Sequence, residues 1–299
     1  MIDLISLPSR SRLAVASLLM VTAVWGSTFV LIKDLVATLP VTDFLAVRFV
    51  IAAAVLLIVL WRQVRRLGQE QLARAVGLGI VYGLAQILQT AGLARSTAAV
   101  SGFVTGMYVV LTPLVAALLL RQRTPRSVWV AVALSTAGLA LLALRGLAIG
   151  GGELLVLGSA GLYALHIVGL SRWSVPRDVL GLSAVQMVTI AVVCSAGALP
   201  GGVVVPQTVG QWSGVLYTAL AAGALALVLQ TWAQSHLSAT RSAVIMTMEP
   251  VFAALFAVAL GGEHLTWRML GGGVLVLSAM YLVELAPARE PPTEPLPVP

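Results

Sequence analysis

The sequence predicts an all-α integral membrane protein of about ten transmembrane helices, arranged as two inverted five-helix repeats around a central cavity. Three observations predict it. Apolar runs of membrane length follow one another with short polar gaps: 59% of the 299 residues are hydrophobic and 10% are charged, against about 25% charged in a soluble domain. The charges are sorted to one side of the alternating runs. The second half of the chain echoes the first at a nearly constant offset.

The criterion of about 20 apolar residues per crossing places the spans, in order, at 13–32, 44–61, 75–93, 97–120, 128–144, 154–170, 180–199, 210–233, 242–261 and 269–285. The first run is too long for the apolar region of a signal peptide, and no small-residue cleavage site follows it, so it is read as a retained span. The first repeat is expected over 1–148 and the second over 149–285, followed by a disordered, Pro-rich cytoplasmic tail over 286–299.

Orientation follows from the arginines. If the spans alternate, Arg10, Arg12, Arg62, Arg65, Arg66, Arg74, Arg121, Arg123, Arg126, Arg172, Arg177, Arg241 and Arg289 share one side. Lys33, Arg95, Arg145 and Arg268 lie on the other. By the positive-inside rule both termini are cytoplasmic. The net charge of +7 therefore records topology. It implies a lipid bilayer as the chain's surroundings and no nucleic-acid partner.

Sliding the chain on itself by 138 positions puts Trp25 on Tyr163, Thr28 on His166, Arg48 on Gln186 and Trp129 on Trp267. Neighbouring offsets put Gln89 on Gln230 and Pro113 on Pro250. Matches in order at nearly one offset indicate two repeats of five spans. Five is odd, so the second repeat enters the membrane from the opposite face, the arrangement that lets a central site open to either side in turn.

The residues Trp25-Gly26-Ser27, the run Phe44 to Phe49 containing Arg48, and Glu249-Pro250 followed by Glu263 and Gly271 resemble the drug/metabolite transporter superfamily, and within it the EamA-type ten-helix permeases. The resemblance covers nearly the whole chain except the tail. It implies a multi-pass carrier of the plasma (cytoplasmic or inner) membrane, often an exporter of amino acids or other small metabolites. The first repeat departs from the pattern: Thr112 precedes Pro113 where Glu249 precedes Pro250, and Arg121 to Arg123 stand about where Glu263 does.

Polar residues inside the spans fall on helical faces. Tyr82, Gln86 and Gln89 form one stripe, Ser101, Thr105, Tyr108 and Thr112 a second, and Ser159, Tyr163 and His166 a third, while Gln230 and Gln234 lie one turn apart. A polar group facing lipid costs a few kcal/mol, so these faces point inward. Interhelical hydrogen bonds alone would also satisfy them. With the stripes taken together, the expected substrate-binding cavity comprises Trp25, Thr28, Tyr82, Gln86, Gln89, Thr105, Tyr108, Tyr163, His166 and Gln230. Pro113 and Pro250 are expected helix kinks.

Glu249 has two readings. As a coupling site it would take up and release a proton during transport; as a structural acid it would be fixed by hydrogen bonds beside Pro250. Arg48 lies little more than a turn inside the outer surface, so snorkelling or pairing with Asp43 is the expected explanation. The small-residue pairs Gly79 and Gly83, Gly102 and Gly106, and Gly210 and Gly214 are expected packing seams, with Gly102 to Gly106 bordering the cavity wall.

No catalytic, metal-ligand, nucleotide or cofactor motif is present, so transport would be secondary. A membrane-embedded enzyme using Glu249 and His166, or a channel, are the alternatives. The expected interior has no cluster of Lys or Arg for phosphate, which favours small zwitterions or amphipathic metabolites, amino acids first. The oligomeric state is left open between monomer and homodimer.

Overall fold

In lipid, a backbone must satisfy its polar groups within the segment, and runs this apolar do so as helices. The computed structural model describes residues 10–96, 98–120, 125–143, 150–198, 202–260 and 266–285, with no strand among them. The first half comprises α1 (Arg10–Val36), α2 (Val41–Val64), α3 (Gln69–Arg95), α4 (Ala98–Gly106), α5 (Tyr108–Leu120) and α6 (Arg126–Ala143). The second comprises α7 (Gly151–Trp173), α8 (Val179–Ala196), α9 (Val209–Ala219), a wide π-turn (Leu220–Leu225), α10 (Ala226–Gln234), α11 (Ala239–Met246), α12 (Met248–Leu260) and α13 (Trp267–Leu285).

With α4–α5 and α9–α10 each counted as one crossing, seven described helices are long and apolar enough to span a membrane. The α6, α11–α12 and α13 segments complete the ten. Several helices outrun their apolar cores. α3 begins at Gln69 because an exposed Glu70–Arg74 pair extends it by a polar turn. Ile58, Val59, Leu118 and Val192 are exposed, a surface suited to acyl chains.

The two halves pack as a two-fold pair. α2 lies on α8 and α6 on α13, each crossing against its own repeat mate. α7 packs on α3, α4 and α5, and its mate α1 packs correspondingly on α10, α11 and α12. With five crossings per half, this two-fold relates repeats of opposite orientation.

Glycine permits some of these approaches. A Cβ at Gly79 would lie 2.6 Å from the Thr189 side chain and 2.8 Å from the Gln186 carbonyl, so the α3–α8 seam requires glycine there. Gly102, expected in a seam, has no atom of the described residues within 4 Å of where its Cβ would stand. It is not a close-packing point.

The breaks in the fourth and ninth crossings lie upstream of the prolines. The fourth breaks at Met107, with Pro113 inside α5; the ninth breaks at Thr247, with Pro250 in the first turn of α12. A first-turn proline loses no intrahelical bond, which lets α12 start there. Arg121, Arg123, Arg145, Glu263, Arg289 and the tail 286–299 lie outside the described residues.

Candidate functional site

Between the halves lies a cavity of about 50 Å³, room for a few water molecules. Several of its walls come from stripes read in the sequence. α1 supplies Trp25 and Thr28, α3 supplies Tyr82, Gln86 and Gln89, and the α4–α5 crossing supplies Thr105 and Tyr108. Tyr163 of α7, Gln230 of α10 and Glu249 of α12 complete the polar part. Nine of the ten residues expected to line a cavity are thus brought together, along with the acid.

His166 is the tenth, and it is elsewhere. On α7, Tyr163 and Ile167 lie one turn apart and face the cavity, while His166 falls on the other side of that line, toward α8. Its Nε2 meets Gln186 Oε1 at 3.0 Å, and its ring packs edge-on against Tyr82 at 4.8 Å. It supports the wall from behind.

Arg48 corrects a second expectation. It neither snorkels nor pairs with Asp43: its guanidinium lies on the cavity wall with 3% of the residue exposed. Asp43 faces away, its Oδ2 accepting from Val204 N at 3.0 Å. The reason is the partner across the bundle. Arg48 Nε donates to the Thr218 carbonyl at 3.1 Å, and the Phe49 ring centroid lies 4.7 Å from its Cζ.

That carbonyl stands at the approach to the π-turn, and the turn explains a second anchor. Ala226 N–H reaches back to Ala221, so the Ala222 carbonyl is passed over and instead accepts Trp25 Nε1 at 2.9 Å. The local widening of one helix thus holds Trp25, and a carbonyl just before it holds Arg48. Gly26, next to Trp25, brings α1 onto α12: a Cβ there would lie 2.7 Å from the Glu249 carbonyl oxygen.

The polar groups divide into a satisfied wall and an unsatisfied one. From Arg48 Nη1 a chain of donors runs to Gln86 Oε1 (3.4 Å), from Gln86 Nε2 to Tyr163 Oη (2.6 Å), from Tyr163 to Gln89 Oε1 (2.8 Å), and from Gln89 Nε2 to Thr105 Oγ1 (3.1 Å). Opposite, Tyr108 Oη and Gln230 Oε1 are buried with no hydrogen bond among the described residues. The Glu249 side chain, 6% exposed as a residue, likewise has no partner among them. The hydrogen-bonded brace that a structural acid would need is therefore not formed by the described residues.

Sequence reading also passed over Phe29, Ile32, Thr90 and Leu93, which line the cavity. The signal was present: Thr90 and Leu93 continue the Tyr82 stripe, and Phe29 and Ile32 follow Trp25 at helical spacing. Ser101, Ser159 and Gln234, read on the same polar faces, bond to Ser96, to the Val156 carbonyl and to α7 respectively.

Ten crossings in two oppositely oriented halves, enclosing a cavity between them, define a multi-pass membrane protein. The chain belongs to the EamA-like transporter family, whose model matches it twice, over residues 12–144 and 150–285; it is a membrane transporter. It is similar to an Archaeoglobus fulgidus protein described as an uncharacterized transporter, 30% identical over 271 residues, which are 90% of this chain and 84% of the relative. A solved crystal structure whose description names no activity shares the fold, with a TM-score of 0.74 at 18% identity, over 90% of this chain and 96% of that one.

Proposed function

We propose that the protein is a secondary carrier that exports small amphipathic metabolites, amino acids first, across the plasma membrane by alternating access, with both termini cytoplasmic. One observation supports the reading: repeat-related positions tie α1 to the end of α3 and α10 to the end of α7, and these ties are read as latches. At one end Lys33 Nζ of α1 donates to the carbonyls of Leu93, Ala94 and Ser96 at 2.8, 3.2 and 2.6 Å, closing the end of α3. At the other, Gln234 Nε2 of α10 donates to the Ile167 carbonyl and Ser171 Oγ of α7 at 3.0 and 3.1 Å. The repeat offset that takes Lys33 to Ser171 takes Ser96 to Gln234, so the latches are one device used twice. Equivalent latches at opposite faces suit opening in turn.

The test is counterflow in proteoliposomes loaded with unlabelled leucine. The expected outcome is saturable, transient accumulation of external labelled leucine, recovered chemically unchanged. Chemical conversion would indicate an enzyme, and non-saturating flux without counterflow a channel. Orientation is checked in intact cells with single cysteines at Gln69 and Gln207 in a variant lacking Cys194; a membrane-impermeant thiol reagent should label only the second.

A further inference from the structure

Arg48 is a buried cation with no counter-charge among the described residues. No carboxylate among the described residues lies within ion-pairing distance of it: Asp43 is turned to Val204, and Glu249 shares its cavity without pairing to it. A guanidinium carries five N–H donors. Two are used, toward Thr218 and Gln86, and Nη2 has no partner among the described residues. Burying an uncompensated charge is expensive, and a carbonyl, an amide oxygen and an aromatic face offset only part of that cost. Yet the side chain is tied at the cavity wall to two other crossings. Such a group is complete only when an anion arrives.

We propose that Arg48 is the specificity-determining anchor for a substrate carboxylate, so that the transported solute is a monoanionic head on an apolar body. The proposal rests on the carrier reading above and narrows it. One guanidinium balances one negative charge, whereas a phosphate ester would bring a second to a wall with no other cation. The apolar body has its own surface in Phe29, Ile32, Leu93 and Ile167. The free acceptors of Tyr108, Gln230 and Glu249 receive an ammonium where the solute has one. Amino acids and simple carboxylic acids share the head chemistry, and the experiment separates them.

Three isosteric probes serve: leucine, 4-methylpentanoate, which lacks the ammonium, and 3-methylbutylamine, which lacks the carboxylate. Each is titrated calorimetrically into the purified full-length protein. The expected result is binding of leucine and 4-methylpentanoate with little or none of the amine. Leucine alone among the acids would mark an amino-acid site still anchored at Arg48. Arg48→Gln should weaken the acids about ten- to a hundredfold and leave the amine unchanged. Arg48→Lys, which keeps the charge and loses the fork, should lose less.

Amine bound by the wild type as tightly as the acids overturns the anchor while leaving a metabolite cavity intact. So does an Arg48→Gln protein that retains the wild-type preference for acid over amine, whatever its stability, because Arg48 would then serve only Thr218 and Gln86. Silence of all three probes at about 10 mM, above the usual range of substrate affinities, overturns the metabolite cavity and the anchor with it. If Arg48→Gln does not fold, the wild-type probe series and Arg48→Lys decide.

Discussion

At the scale of single residues, Glu249 is the group whose surroundings say most. It sits in the membrane-spanning part of the bundle, lines the cavity and makes no hydrogen bond to a described residue, a placement compatible with proton exchange. Glu249→Gln preserves shape and cannot titrate. The variant is expected to lose accumulation driven by a pH gradient yet keep counterflow of labelled for unlabelled leucine, which needs no net proton movement. Gradient-driven accumulation at the wild-type level by a folded variant would remove the proton role. The residues around it show what a sequence reveals about a site. Tyr82, Gln86 and Gln89 were legible because a polar stripe at helical spacing inside an apolar run has to face inward. Arg48 was not, because distance along a span gives depth but not the facing partner, and its partner is a carbonyl about 170 positions away. His166 was misplaced because a shift of three residues and one of four diverge across a helix face.

At the scale of elements, long apolar periodicity made the crossings readable and left their interruptions hidden. The stretch Leu220–Leu225 is ordinary apolar helix in composition, so nothing announces the π-turn whose neighbouring carbonyls hold Arg48 and Trp25. The breaks themselves fall at Met107 and Thr247, upstream of the prolines: Pro250 is accommodated in the first turn of α12, while Pro113 stands inside α5, six residues past the break. Glycine pairs mislead in the same way, since spacing does not show which pair meets a neighbour. The structure separates them. Gly79→Ala, with its Cβ within 3 Å of Thr189 and of the Gln186 carbonyl, should lower stability by about 1–3 kcal/mol. Gly102→Ala, which meets no atom of the described residues within 4 Å, should be neutral or raise stability by up to about 1 kcal/mol. Thermal unfolding in detergent measures both, and the reverse order would contradict the described α3–α8 seam.

At the scale of the whole molecule, the repeat was visible in the chain because both halves solve one packing problem, and matched tryptophans, glutamines and prolines survive at nearly one offset. What the offset alone did not carry was its use: the contact of Lys33 with Ser96 and the contact of Gln234 with Ser171 become equivalent only once helices are assembled. The central claim is that these two ends open in alternation around one cavity. Distances between spin labels in proteoliposomes test it most directly, with one pair at Asp34 and Arg95 on the ends of α1 and α3, and another at Arg172 and Ser235 on the ends of α7 and α10. The account predicts two distance populations for each pair, with conditions that lengthen one pair shortening the other. Both pairs lengthening together, or both holding one fixed distance with and without leucine, would contradict it.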